Sequence, residues 1–297
     1  AIDIVADPDL LSYDIISMPG LTNNNLRNEI ISMVEDRGDA LAIVDLDSSY
    51  RKSYEANGVE ALGSNLDVIS DANARDINSS YAATYYPEVR LKDTAGGNED
   101  VTIVPSSVAA IGAIGFSEAN SDGPWFAPAG FNRGGLSTLG GSAGPKVVGT
   151  TEHLTKNNRD DLYEVNINPI AKFPAVGEIV IFGQKTLQQT PSALDRVNVR
   201  RLMIFLKKKI GKIANTTLFD QNVRATWLRF KGRADKVLSD VQSKFGIVEY
   251  KLVLDETTTT ADLVDRNILY AKIFVKPARA IEFIAIDFVI TKTGVEF

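Results

Sequence analysis

The residue types best suited to chemistry stand together at Asp45-Leu46-Asp47-Ser48-Ser49, where an apolar run beginning at Leu41 gives way to polar residues. Paired carboxylates at the carboxyl end of a parallel strand can hold Mg²⁺ and attack a phosphoryl group. That pattern makes Asp45 and Asp47 candidates for a phosphatase-like α/β enzyme. Such an enzyme also needs a later lysine and a second acidic motif after a strand, and neither has a convincing counterpart. The plainer reading is a polar strand exit running into Tyr50-Arg51-Lys52. A Ser/His/Asp triad would have to recruit His153, the one histidine of the chain, which lies in the polar stretch Thr150–Asn158 and is expected at the surface. The absence of cysteine removes disulfides, thiolate catalysis and Cys-ligated zinc together. The glycines between Gly134 and Gly149 match neither dinucleotide nor P-loop spacing and read as a turned connection. The expectation is a protein with no catalytic, metal or cofactor-binding residues.

With no reaction to serve, the informative residues are those that shape surfaces. The chain has 297 residues, enough for one large domain or two, and no apolar run long enough to cross a bilayer. Its first residues carry no secretory signal pattern. Net charge is only −6, but it is unevenly distributed. Residues 1–100 hold 19 acidic against 7 basic side chains, whereas residues 195–236 hold 12 basic against 3 acidic. Such polarity suits head-to-tail association with further copies, or docking on an acidic partner. Nucleic acid is the obvious rival partner, but neither a helix-turn-helix with a glycine turn nor an aromatic RNA-binding strand pattern accompanies the cations.

The elements follow from hydrophobic spacing. Tyr13–Ser17 predicts a short strand ended by Met18-Pro19-Gly20. Leu26, Ile30, Met33 and Val34 predict a helix capped by Thr22 or one of Asn23 to Asn25 and stopped at Gly38. Strands are expected over Leu41–Leu46 and Tyr81–Leu91, with a helix starting near Ala72 between them. A small-residue helix should run from Pro105 to about Phe116, with Gly112 and Gly115 allowing close packing. Strand–helix alternation predicts an α/β fold with a largely parallel sheet and flanking helices. Beyond a glycine-rich connection over 121–150 come a helix near Lys156–Glu164 and a strand at Glu178–Phe182. Two amphipathic helices are then expected at Asp195–Ile213 and Val223–Phe245, each burying one face and exposing a basic one. Strands at Ile247–Leu254, Tyr270–Val275 and Ile281–Ile290 would complete an α+β C-terminal domain. On the first long helix Arg201, Lys208 and Lys212 line one edge of the outer face and Arg200 and Lys207 the other. Val197 and Ile204 lie between them, either as the apolar centre of a partner-binding surface or packed under another element of the same chain. The last strand is apolar on both faces except at Glu282 and Asp287, so it needs a cover or a partner.

One stretch is rigid rather than reactive. Gly123-Pro124-Trp125-Phe126-Ala127-Pro128-Ala129-Gly130-Phe131-Asn132-Arg133-Gly134 combines prolines that fix φ, glycines that permit unusual backbone, and aromatic bulk. Through Trp125, Pro128, Gly130, Asn132 and Arg133 it resembles the W-x-x-P-A-G-[FY]-N-R-G signature of tail sheath proteins from contractile-tailed bacteriophages. Leu194-Asp195-Arg196-Val197-Asn198-Val199-Arg200-Arg201-Leu202 is similar to that family's D-R-[IV]-N-V-R-R-L motif. Asp265-Arg266-Asn267 followed by Pro277-Ala278-Arg279-Ala280-Ile281 resembles its D-R-N…P-A-R-[AS]-I ending. The resemblance implies a non-catalytic, subtilisin-like α/β core over residues 1–187 and a sheath C-terminal domain over 188–297, with further domains ahead of Ala1. It implies a homo-oligomeric helical sleeve around a tail tube protein, with baseplate and tail terminator partners and no nucleic acid or membrane. The sleeve would be assembled in the host cytoplasm, carried on the virion, and would contract to drive the tube through the host envelope. Arg196, Arg200, Arg201, Lys207, Lys208 and Lys212 become the candidate contacts with the tube or an adjacent subunit. The signature loop is expected to fix the junction between the two parts, and an Asp265–Arg266 pair to staple the loop before Tyr270. Thr291, Lys292, Thr293, Gly294, Val295, Glu296 and Phe297 would form a C-terminal arm pairing with strands of neighbours.

Overall fold

The computed structural model describes residues 2–46, 65–92, 100–137, 146–174 and 177–283. After a short helix α1 (Ile2–Ala6), strand β1 (Ile15–Ser17) leads into helix α2 (Asn24–Arg37). Asn23 caps α2 by accepting from the backbone of Asn25 and Leu26, and Gly38 closes it at φ +61° in the left-handed region. Strand β2 (Leu41–Val44) follows, then helix α3 (Asn65–Arg75), which starts well before the expected Ala72. Successive residues of β2 face opposite sides of the sheet: Leu41 and Ile43 enter one apolar cluster, Ala42 and Val44 another.

The expected single strand over Tyr81–Leu91 is two strands in different sheets: β3 (Ala82–Tyr86) and β4 (Val89–Lys92). Pro87, which has no N–H for a ladder, separates them. Strand β5 (Val101–Val104) and helix α4 (Ser106–Ala119) come next, then a single turn of helix α5 (Gly130–Arg133) and strand β6 (Lys146–Thr150). The connection over 121–150 therefore holds an element of helix and one of strand. Strands β5, β4 and β6 form a small antiparallel sheet that the sequence pattern does not reveal. Gly112 and Gly115 lie on the exposed side of α4, with nothing near Gly115, so they do not serve close packing.

Helix α6 (Lys156–Glu164) precedes β7 (Ile167–Phe173) and β8 (Glu178–Ile181). The main sheet runs β1-β2-β3-β7-β8; its first three pairings are parallel and the last is antiparallel. The α/β expectation holds in this mixed form. Strand β7 escapes sequence reading because Pro169 interrupts it. Residues 167–169 pair with β3 and residues 170–173 with β8, so the proline stands where the ladder changes neighbour.

Helix α7 (Val197–Asn215) and helix α8 (Arg224–Ser243) form a hairpin, followed by β9 (Ile247–Val253), helix α9 (Ala261–Asp265) and β10 (Lys272–Pro277). Strands β9 and β10 pair antiparallel and pack with α7 and α8 around Leu202, Leu206, Trp227, Phe230, Leu238 and Val241. Phe245, expected as the last residue of α8, instead lies just past the helix at φ +61° and is 76% exposed. Of the expected strand over 281–290, residues 281–283 are not strand, and the remainder lies outside the described residues together with the arm at 291–297.

Candidate functional site

The acidic strand exit is a structural joint. Asp45 follows β2, is 5% exposed and accepts hydrogen bonds from the Gly20 amide (3.0 Å), the Ser107 amide (2.9 Å) and the Ser107 hydroxyl (2.6 Å). The Ser106 hydroxyl lies 3.1 Å away and shares its single proton with Tyr85 O at 2.8 Å. The Ser106 and Ser107 donors, at the positive end of α4, together with the Gly20 amide occupy the lone pairs that a metal or a phosphorus centre would need. Asp47 lies outside the described residues, so the carboxylate pair has no described geometry. His153 is exposed, and among the described residues no group of three or more His, Cys, Asp or Glu is placed to hold a metal ion.

The rigid stretch that opens into α5 wedges its aromatic end against the C-terminal part of the chain. Trp125 is buried among Leu202, Leu206 and Val241, stacks edge-on against Phe205 at 5.5 Å, and donates its indole N–H to Lys244 O at 2.9 Å. Gly246 lies flat under the indole; a Cβ there would sit 2.9 Å from Trp125 Cδ2 and 2.6 Å from Val241 Cγ1. Gly130 takes φ +74° to start α5, a conformation that Cβ-bearing residues resist. Arg133 places its guanidinium over Phe126 at 4.6 Å and donates to Ser121 Oγ at 3.2 Å. The second motif reaches back to the first: Asn198 donates to Trp125 O at 3.2 Å and Arg201 to Pro124 O at 3.3 Å.

Most of the cations on α7 are engaged within the chain, which corrects the expectation of an exposed basic face. Arg200 is 6% exposed, lies over the Tyr81 ring at 3.8 Å and donates to Ser80 O at 3.1 Å; burial lowers its pKa from the usual guanidinium value. Arg201, 4% exposed, pairs with Glu118. Lys207 donates to Arg37 O at 3.0 Å, and Lys208 to Tyr13 O and Asp14, both at 2.6 Å. Lys212 alone of the six candidates is exposed with no such bridge described. Val197 and Ile204 are buried in the cluster beneath the main sheet, while Leu202 and Leu206 belong to the C-terminal cluster. Helix α7 is therefore apolar on two sides because two cores meet across it.

Arg196 holds the segment that follows β10. Its guanidinium grips Glu282 with two hydrogen bonds, Nε to Oε1 at 2.6 Å and Nη2 to Oε2 at 3.0 Å. Gln184 and Tyr163 add donors to the same carboxylate at 3.1 and 3.0 Å. Burial, then the neighbouring Glu282 charge, pushes the Tyr163 phenol well above its ordinary range; burial and Arg196 pull the nearby Lys185 ammonium down. Tyr163, Gln184 and Lys185 carry no motif, but Glu282, one of two charges in an otherwise apolar run, signals that a partner exists. The third motif differs from expectation: Arg266 pairs with Asp262 at 3.7 Å rather than with Asp265, and all three motif residues are exposed. Asn267 closes α9 at φ +59°, a region that asparagine tolerates better than most residues.

Comparisons with known proteins agree with these motifs. Residues 189–291 match the family described as phage tail sheath C-terminal domain. The tail sheath protein of Vibrio phage KVP40 is 32% identical over 266 residues, covering 90% of this chain and 36% of that protein. The tail sheath protein of Enterobacteria phage T4 is 36% identical over 173 residues, covering 58% of this chain and 25% of its own length. The chain thus spans about a third or less of these relatives. In fold it is similar to the helical sheath of the anti-feeding prophage in its contracted state, with TM-score 0.70 and 20% identity over 96% of this chain and 73% of that one.

Proposed function

We propose that this chain, which belongs to the tail sheath protein family of contractile-tailed phages, is the part of a sheath subunit that polymerises helically around an inner tail tube. It is a structural protein, not an enzyme. One observation carries the reading: the likeness to a tail sheath protein runs along 90% of the chain, across both hydrophobic cores and the helix between them. The work is mechanical. Heterologous contacts that do not close into a ring propagate as a helix, and repacking them changes pitch and radius without refolding the subunit. Contraction summed over a sleeve drives the tube through the host envelope, with baseplate and terminator proteins at the ends.

The finer layout belongs to the same reading. The α/β part, residues 1–187, is of the subtilisin-like kind with its catalytic chemistry absent, and residues 188–297 form the C-terminal domain with its arm. The sleeve is carried on the virion after assembly in the host cytoplasm. Among the candidate cations Lys212 is the best placed to meet an acidic tube, because its side chain is exposed where Arg196, Arg200, Arg201, Lys207 and Lys208 hold their own chain together. Negative-stain microscopy of the full-length protein should show hollow cylinders, more abundant when tubes are supplied. A species that stays monodisperse at high concentration, with and without tubes, would overturn the proposal.

A further inference from the structure

The tip of the α7–α8 hairpin has no role within the described fold and carries an unusual residue. Phe219 is fully exposed and its backbone stands at φ +67°, in the left-handed region. Glycine or asparagine occupies such a position without difficulty; a bulky aromatic does so only against steric resistance. Phe219 therefore carries two penalties at once, an unfavourable backbone and an apolar ring left in water. Among the described residues neither is offset by packing, since Phe219 belongs to none of their apolar clusters. Strain retained at an exposed position points to function elsewhere. The neighbours reinforce this: Leu218 is 63% and Val223 51% exposed, giving an apolar tip. The tip is held in shape from the side by Arg229 on Asp220 and by Arg233 donating to Thr216 Oγ1 at 3.1 Å. With exposed Arg224 these arginines put a cationic rim around an aromatic centre, the arrangement of an interface anchor.

We infer that Phe219 is the anchor of a contact between subunits, inserting into an apolar hollow on the acidic α/β part of a second copy of this chain. Charge selects that occupant. The rim carries Arg224, Arg229 and Arg233 against Asp220, and the first 100 residues of the same chain supply 19 acidic against 7 basic ones. A knob at one place that fits a surface at another makes a head-to-tail contact, which propagates rather than closes. The inference rests on the sheath reading and assigns a residue to it.

Phe219→Asn separates assembly from folding, because asparagine relieves the backbone while removing the ring. The variant should melt at the same temperature as the parent or higher, and its polymer yield in sedimentation should fall at least tenfold. Phe219→Leu should recover part of the yield. Phe219→benzoylphenylalanine, irradiated in the polymer, should cross-link to a peptide from residues 1–100 of another subunit. Polymer yield unchanged in Phe219→Asn overturns the inference while leaving the sheath reading intact. So does normal tube-free polymer with only tube loading lost, or a cross-link to the tube protein. A parent protein that itself forms no polymer overturns both.

Discussion

At the scale of single residues, the same side-chain types that suggest catalysis here serve as joints. Asp45 has the position of a phosphatase nucleophile, yet its oxygens face the amides of Gly20 and Ser107 and the Ser107 hydroxyl. Hydrogen bonds to a buried charge contribute about 1.5–3 kcal/mol each. Asp45→Asn turns an amide NH₂ toward backbone donors and should destabilise the fold by about 2–3 kcal/mol, read as a lower midpoint in urea. Mg²⁺-dependent hydrolysis of a generic phosphate ester should stay at background in both proteins; turnover lost on that substitution would restore the enzyme reading. Aromatic residues show the converse. Trp125 lies in a core, where its ring and its N–H are both satisfied. Phe219 stands in a backbone region that costs roughly 1–2 kcal/mol for a residue with a Cβ, a cost consistent with a role outside its own subunit.

At the scale of elements, helix α7 decides the arrangement. Its cations reach in three directions: Arg201 to the start of the signature loop, Lys207 and Lys208 to the end of α2 and the residues just before β1, and Arg196 to the segment after β10. The Arg196–Glu282 pair governs where that last segment leaves the body. Glu282→Ala should leave the melting temperature within a few degrees of the parent but speed tryptic cleavage at Arg279 by about tenfold, roughly 1.4 kcal/mol of lost docking. The charge swap Arg196→Glu with Glu282→Arg should slow it again. An unchanged digestion rate in Glu282→Ala would show that the carboxylate does not hold the segment. Alkali acts on the same joint through Tyr163. Its phenol is raised above the ordinary value of 10.0, so its stabilising contribution is complete below that pH. The contribution is lost as pH climbs through the raised value, and protection at Arg279 should disappear there first; Tyr163→Phe should remove this dependence.

At the scale of the whole molecule, charge polarity is the organising property. The acidic and basic stretches attract within the chain, as Lys208 and Asp14 show, and the proposed assembly would draw on the charge left over. Assembly should therefore weaken with ionic strength: raising NaCl from 0.05 to 0.5 M shortens the Debye length from about 14 to about 4 Å. Polymer yield should fall severalfold over that range while the folded fraction, followed by circular dichroism, holds constant. A salt-independent yield would assign assembly to apolar contact alone.

The sequence by itself determined the long helices α2, α7 and α8, because their apolar residues repeat with the helical period over many positions; the short helices α1, α5 and α9 carry too few residues for such a pattern. It also carried the resemblance to tail sheath proteins, because three motifs in fixed order leave few alternatives. It did not reveal β7 or the small antiparallel sheet, since Pro87 and Pro169 break apolar runs that only sheet neighbours can complete. Nor did it decide which side of α7 meets water. A periodic pattern shows which residues are apolar, not how many cores they enter, and Val197 and Ile204 are buried because the main sheet lies above them. Tertiary structure alone paired Arg196 with Glu282 across 86 residues and turned Arg200 and Arg201 inward. Side-chain identity sets what a group can bond to, but the fold decides what comes within reach.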